Sequence, residues 1–177
     1  MIFLTVGTQF PFDRLVKAVD AAVAAGAVKD DIFAQVEGGW RPVNMRWVDS
    51  MDYGEFKAQV ARSRAVIGHA GIGTILAALE AKKPLLVMPR LKQYAEVVND
   101  HQVVTAGEFA ARGHLLAAFE TADLPGKMRA LLEFRPSLSA AGGDAIAARI
   151  KSFLDSISVR HPRDSKPGTR ESCGDPG

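Results

Sequence analysis

Residues 65–106 constrain this chain more than any other stretch. They read Ala-Val-Ile-Gly-His-Ala-Gly-Ile-Gly-Thr-Ile-Leu-Ala-Ala-Leu-Glu-Ala-Lys-Lys-Pro-Leu-Leu-Val-Met-Pro-Arg, then a polar loop, then Asn-Asp-His-Gln-Val-Val-Thr-Ala. Residues 65–67 are a short apolar run, as a strand buried on both faces requires. Gly68, Gly71 and Gly73 interrupt it at once. Thr74 is placed to cap a helix running through Ile75, Leu76, Leu79 and Glu80. Pro84 bars further helix, and a second apolar strand follows at 85–88. Strand, glycine turn, helix and strand make a βαβ unit of a parallel sheet.

The glycine turn has two readings. Glycines let a backbone approach a ligand closely, and the following helix points free N–H groups and its positive dipole end into the same space. That combination binds anions, phosphate above all. The plainer reading is a tight connection with glycines for packing, since short glycine motifs are weak evidence alone. His69 stands at the carboxyl end of its strand, where open α/β sheets bind ligands. It is either a phosphate contact or a core histidine bonded to a backbone carbonyl.

The rest of the chain repeats the alternation. Residues 2–6 form a strand, followed by a Gly7-Thr8-Gln9 turn and a Phe-Pro-Phe-Asp lead-in to a helix. Leu15, Val16, Ala18, Val19, Ala22 and Val23 share one face of that helix, and Gly26 ends it. The turn is either a second ligand loop or a simple turn in which Phe10 and Phe12 both pack. Strands are expected at 31–36 and 44–48, and a helix at 55–62. After a polar loop at 90–96, Asn99 or Asp100 caps a helix that Gly113 closes. An edge strand at 114–119 and helices at 124–134 and 137–157 complete the pattern, while residues 159–177 lack the apolar content to fold. The fold class is therefore α/β: one doubly wound, Rossmann-like parallel sheet over residues 1–158, with a disordered polar tail.

Composition excludes several functions. A net charge of +2, from 22 Lys and Arg against 20 Asp and Glu, gives no bulk field for nucleic acid or membrane. One cysteine, Cys173, forms no disulfide framework or cysteine metal site. Met1 leads straight into a strand with no basic leader region, and no apolar run approaches the roughly 18 residues of a membrane helix. A cytoplasmic chain is expected. A dinucleotide dehydrogenase would carry Gly-x-Gly-x-x-Gly after its first strand, and Gly-Thr-Gln-Phe-Pro-Phe departs from it.

Several motifs occur together and in order over residues 1–120. They are the opening Met-Ile-Phe-Leu-Thr-Val-Gly-Thr-Gln-Phe-Pro-Phe-Asp-Arg-Leu, His69-Ala-Gly-Ile-Gly-Thr, Lys83-Pro84, Val87-Met-Pro-Arg-Leu, Glu96 and Asn99-Asp-His-Gln. In this combination the chain resembles the C-terminal, donor-binding domain of GT-B glycosyltransferases of the family 28 type. The likeness is nearest to the stand-alone form, the small subunit of the dolichol-linked N-acetylglucosamine transferase and its bacterial exopolysaccharide counterparts.

The resemblance implies a UDP-sugar, as substrate rather than cofactor, lying across the carboxyl ends of the strands. Gly7, Thr8 and Gln9 match the first glycine loop beside the diphosphate. His69, Ala70, Gly71, Gly73 and Thr74 match the segment that meets the phosphates, with His69 contacting the leaving group. His101 and Gln102 match a polar pair at the donor sugar, flanked by Arg90, Glu96, Asn99 and Asp100; Glu96 reads equally as a solvated loop residue. Two departures stand out. Many relatives carry a glutamate for the ribose hydroxyls where this chain has Ala77, with Glu80 one helical turn further. Val97 and Val98 stand where a polar residue is common.

A GT-B enzyme uses two Rossmann-like domains, and this length holds one. The resemblance implies that a membrane-anchored partner supplies the acceptor, a polyprenyl-diphosphate-linked sugar, and the general base. The chain would then sit at the cytoplasmic membrane face through that partner. Tyr94, Val97 and Val98 are apolar enough to be contact residues, the alternative for the two valines being to pack inward. Loop amides, the helix dipole and His69 would stabilise departing UDP without a metal, in keeping with the lack of an Asp-x-Asp motif. The competing class is a non-catalytic nucleotide-sugar-binding regulatory module, which Ala77 favours and the intact glycine and His-Gln motifs do not.

Overall fold

The computed structural model describes residues 1–137. The expected helix at 137–157 and the polar tail lie outside the described residues. Six strands form one sheet: β1 (Ile2–Thr5), β2 (Ile32–Gln35), β3 (Arg46–Val48), β4 (Ala65–His69), β5 (Leu85–Met88) and β6 (Leu116–Ala117). All pairings are parallel and the order is β3-β2-β1-β4-β5-β6. Five α-helices connect them: α1 (Asp13–Ala24), α2 (Tyr53–Arg62), α3 (Ile72–Glu80), α4 (His101–Ala111) and α5 (Leu124–Leu131).

β1 sits at the centre, paired with β2 through Leu4 and Ala34 and with β4 through Leu4 and Ile67. Its four residues are all fully buried, which is why Ile2, Phe3 and Leu4 are apolar without alternation and Thr5 bonds its hydroxyl to Gln35. One set of side chains, Ile2, Leu4, Ile67, Leu86 and Met88, joins a core with Leu15, Val16 and Val19 of α1 and Leu124, Met128 and Leu131 of α5. Phe3 points the other way and meets Phe56 of α2 with ring centroids 6.0 Å apart. Burying one such side chain stabilises the fold by about 1.5–3 kcal/mol.

Several boundaries differ from expectation for local reasons. Helix α3 begins at Ile72 with Gly71 as its N-cap, so Thr74 does not cap it. Thr74 lies inside the first turn and is buried, its methyl packed 3.1 Å from where a Cβ on Gly68 would stand. Helix α2 starts earlier than expected because Asp52 caps it, accepting from Glu55 N at 2.8 Å. Phe12 is buried, but Phe10 is 62% exposed, so only one of the two aromatics packs. The polar loop after β5 contains a 3-10 turn at Lys92–Tyr94, and the edge strand shrinks to two residues.

The chain runs outward from β1 through β2 to β3, then crosses back to place β4 on the other side of β1. The carboxyl ends of β1 and β4 therefore flank the point where the strand order reverses. In an open α/β sheet that point forms the ligand crevice.

Candidate functional site

Both glycine turns open onto this crevice. Gly7 follows β1 at φ 82°, a conformation that favours glycine, with Thr8 and Gln9 exposed beyond it. His69 is the last residue of β4, and its ring lies between the two turns. A Cβ on Gly7 would come within 2.6 Å of His69 Cε1, and one on Gly71 would overlap Nε2. Gly7 and Gly71, far apart in the sequence, thus meet across one imidazole, and both need glycine there for space. Next to it stands the N-terminus of α3. No described side chain caps it and its first turn carries no acid, so the amides of Ile72, Gly73 and Thr74 face the crevice with the positive end of the dipole. Ala70 is buried beneath, while Gly73 is exposed with open space where a side chain would stand.

His69 is neutral at physiological pH. Its pKa falls from 6.5 to about 4, first because burial disfavours the imidazolium, then because of the Arg90 charge; a backbone hydrogen bond at Thr5 opposes this. Nδ1 is nonetheless buried with no well-formed hydrogen bond to any described group. A neutral imidazole beside uncapped helix amides is a donor for an oxyanion, and an arriving anion would favour its protonation.

The residues expected to flank the donor divide into two groups. Arg90 is buried at 4% exposure and turned away from solvent. It donates to the carbonyls of Val6 (2.9 Å), Phe10 (2.6 Å) and Pro11 (3.0 Å), and its guanidinium lies 4.9 Å from the Phe12 ring centroid. Burial depresses its pKa, with the Glu96 carboxylate opposing. Its bonds to these carbonyls hold the Gly7 turn. Gln102 is also buried, and its Oε1 accepts from Arg90 N at 3.1 Å. Glu96 is neither free nor solvated. It takes a two-pronged pair from Arg14 Nε and Nη2, both at 2.8 Å, and accepts from Leu91 N at 2.9 Å.

His101, Asn99 and Asp100 stay at the surface. His101 Nδ1 contacts Asn99 Oδ1, whose oxygen also accepts from His101 N at 3.3 Å. Asp100 occupies the N-cap position of α4 but does not cap it; its carboxylate accepts from Lys92 N at 2.8 Å and fastens the loop. His101 and Gln102, adjacent in sequence, thus point apart, as neighbours on a helix must. Ala77 is buried in α3. Glu80 is the last residue of that helix, about 12 Å along the axis from its N-terminus, and does not reach the crevice.

Two parts of the site escaped the sequence reading. Arg14 clasps α1 to the loop after β5: besides Glu96 it bonds Pro89 O at 2.9 Å and stacks near the rings of Phe12 (5.2 Å) and Tyr94 (4.9 Å). Nothing in one sequence links positions 82 residues apart. A second network joins the ends of β1 and β2. Thr5 Oγ1 donates to Gln35 Oε1 at 2.7 Å, and Gln35 Nε2 donates to Gly7 O at 2.8 Å and Glu37 Oε2 at 2.6 Å. A signal for it existed, since glutamine at the end of an otherwise apolar central strand needs partners.

The chain has known relatives. The description "Glycosyltransferase family 28 C-terminal domain" matches residues 1–157. The chain belongs to that family. It is 34% identical over 100 residues to the "UDP-N-acetylglucosamine transferase subunit ALG13" of Eremothecium gossypii, covering 53% of this chain and 47% of that protein, so it spans about half the length of this relative. Among solved structures, the solution structure of ALG13 superposes with a TM-score of 0.57 at 19% identity, over 84% of this chain and 93% of that one. MurG of Acinetobacter baumannii superposes at 0.53 with 17% identity, over 89% and 49%. At these identities the two structures establish the fold, a Rossmann-like half of a GT-B architecture. No helix of the described residues is long and apolar enough to cross a membrane.

Proposed function

We propose that this family 28 domain is the donor-binding catalytic subunit of a two-chain inverting glycosyltransferase. It moves a sugar from a UDP-sugar to a polyprenyl-diphosphate-linked acceptor, in exopolysaccharide or lipid-linked glycan synthesis. The observation that carries this reading is the convergence of the Gly7 turn, the His69 ring and the uncapped α3 amides on one crevice. These groups suit a diphosphate: amides and a neutral N–H donor, with no carboxylate in the first turn of α3. As the bond from the anomeric carbon to the β-phosphate oxygen breaks, its electron pair passes to UDP. The amides, the dipole and His69 stabilise that charge in place before the reaction begins, with no metal required. The acceptor hydroxyl forms the new bond, and a base on the acceptor-binding half takes its proton.

The relative from Eremothecium gossypii is named a subunit, and on this reading the second wall of the cleft belongs to a membrane-anchored partner that brings the chain to the cytoplasmic face. Tyr94 and Val98 are 52% and 86% exposed on the loop after β5 and are suited to meet it. Ala77 supports the alternative, a nucleotide-sugar-binding module without catalysis. Both require donor binding, and transfer by the reconstituted pair separates them.

The test is a calorimetric titration of UDP and UDP-N-acetylglucosamine into the full chain and into His69→Ala. A hydrogen bond to a charged group is worth roughly 1.5–3 kcal/mol, so the variant should bind about tenfold more weakly or worse, with its circular dichroism unchanged. Equal affinity of the two proteins would remove His69 from the phosphate site.

A further inference from the structure

Glu37 has features that its turn does not account for. It follows β2 and adopts φ 50°, a conformation that disfavours every residue but glycine, asparagine and aspartate. Two other non-glycine residues share a positive φ, Lys82 and Ala95, and both follow helix ends, where it is common. Glu37 and Gly38 instead fill the centre of a turn closed by Gly39 N to Val36 O at 3.1 Å, and such a turn prefers Asn-Gly or Asp-Gly. Its side chain is half-buried and pairs with no cation among the described residues. One partner orients it: Gln35 Nε2, which also holds the Gly7 carbonyl. The same amide therefore fixes the phosphate-facing turn and this carboxylate relative to each other.

We propose that Glu37 holds the ribose diol of the donor nucleotide. This inference rests on the nucleotide-sugar reading of the crevice. An acidic side chain past the second strand of a sheet in this order stands where a ribose can be gripped, one strand from the glycine turn. Neighbouring strands lie about 4.8 Å apart, so the end of β2 is about 10 Å from the end of β4, which α3 follows. A diphosphate seated at α3 leaves its nucleoside free to extend over β1 towards Glu37. Two vicinal hydroxyls are donors suited to a carboxylate with no cationic partner, whereas phosphate would be repelled by it. The ligand class is a ribonucleoside diphosphate, and the discrimination is against the deoxy form.

The experiment titrates the full chain, Glu37→Gly and Glu37→Gln with UDP and 2′-deoxy-UDP. Glycine suits the turn conformation, so Glu37→Gly should fold with an undiminished melting temperature. The unaltered chain should prefer UDP over its deoxy analogue by about tenfold or more, the scale of a hydrogen bond to a charged group. Glu37→Gly should reduce that preference to within about threefold, chiefly by weakening UDP, and Glu37→Gln should fall between. A full preference retained in Glu37→Gly would overturn the assignment and leave the donor site standing. Failure of the unaltered chain to bind either nucleotide would overturn the donor site and this assignment with it.

Discussion

The neutral His69 makes a prediction about stability that is independent of any ligand. In the folded chain its pKa is about 4, and in the unfolded chain it returns to 6.5. Between those values the unfolded state binds a proton that the folded state does not, so stability falls as pH falls through this window and is fully present above it. The separation corresponds to roughly 3 kcal/mol, most of it lost by pH 4.5. That is a large part of the 5–15 kcal/mol typical of a domain. His69→Gln removes the titration and keeps a polar side chain of similar reach. Urea unfolding of both proteins from pH 7.5 to 4.5 isolates the effect, since the remaining acids and histidines are common to both. The stability difference between the unaltered chain and the variant should shift by roughly 2–3 kcal/mol in favour of the variant on acidification. Parallel pH dependences would show that His69 keeps an ordinary pKa, and the packing argument for a neutral imidazole would be refuted.

Two further perturbations test the scaffold. Gly7→Ala combines a φ of 82° with a Cβ 2.6 Å from His69 Cε1, so it should lose roughly 1–3 kcal/mol in denaturant unfolding and also weaken UDP binding; a neutral effect on both would mean the turn relaxes freely. Arg14→Leu strands the Glu96 carboxylate, which is 12% exposed, and should lose roughly 2–4 kcal/mol, whereas Arg14→Leu combined with Glu96→Leu should recover part of it; additive losses would show that the pair is not coupled.

Local chemistry made much of the fold legible. The strands at 2–5, 32–35, 65–69 and 85–88 are apolar runs bounded by glycine, proline or polar turns, and those cues act within a few residues. The same locality explains the errors. Thr74 has the chemistry of a cap, but the helix begins two residues ahead of it because Gly71 can take the extended N-cap conformation and the Thr74 methyl packs against Gly68. Phe10 and Phe12 are identical in sequence terms, and only the path of the Gly7 turn decides that one is buried and the other exposed.

The candidate site was legible as motifs but not as an arrangement. His69, Gly71 and Gly7 could be singled out because they stand at strand ends within motifs that resemble the family's, whereas the glycines alone read equally as packing. Their meeting across one imidazole depends on β4 returning to the far side of β1, a choice of strand order made by the whole sheet. Arg90, Glu96 and Gln102 read as donor-site groups through the family resemblance, which carries no information on what each side chain bonds in this chain. Tertiary structure gave them partners on other elements, Val6, Phe10 and Pro11 for Arg90 and Arg14 for Glu96. By itself, then, the sequence determined which segments become strands, helices and tight turns, because propensity, patterning and glycine chemistry are short-range. Only the tertiary structure decided which polar side chains face the crevice and which hold it together, and that His69 is neutral, because burial and hydrogen bonding are set by residues distant along the chain.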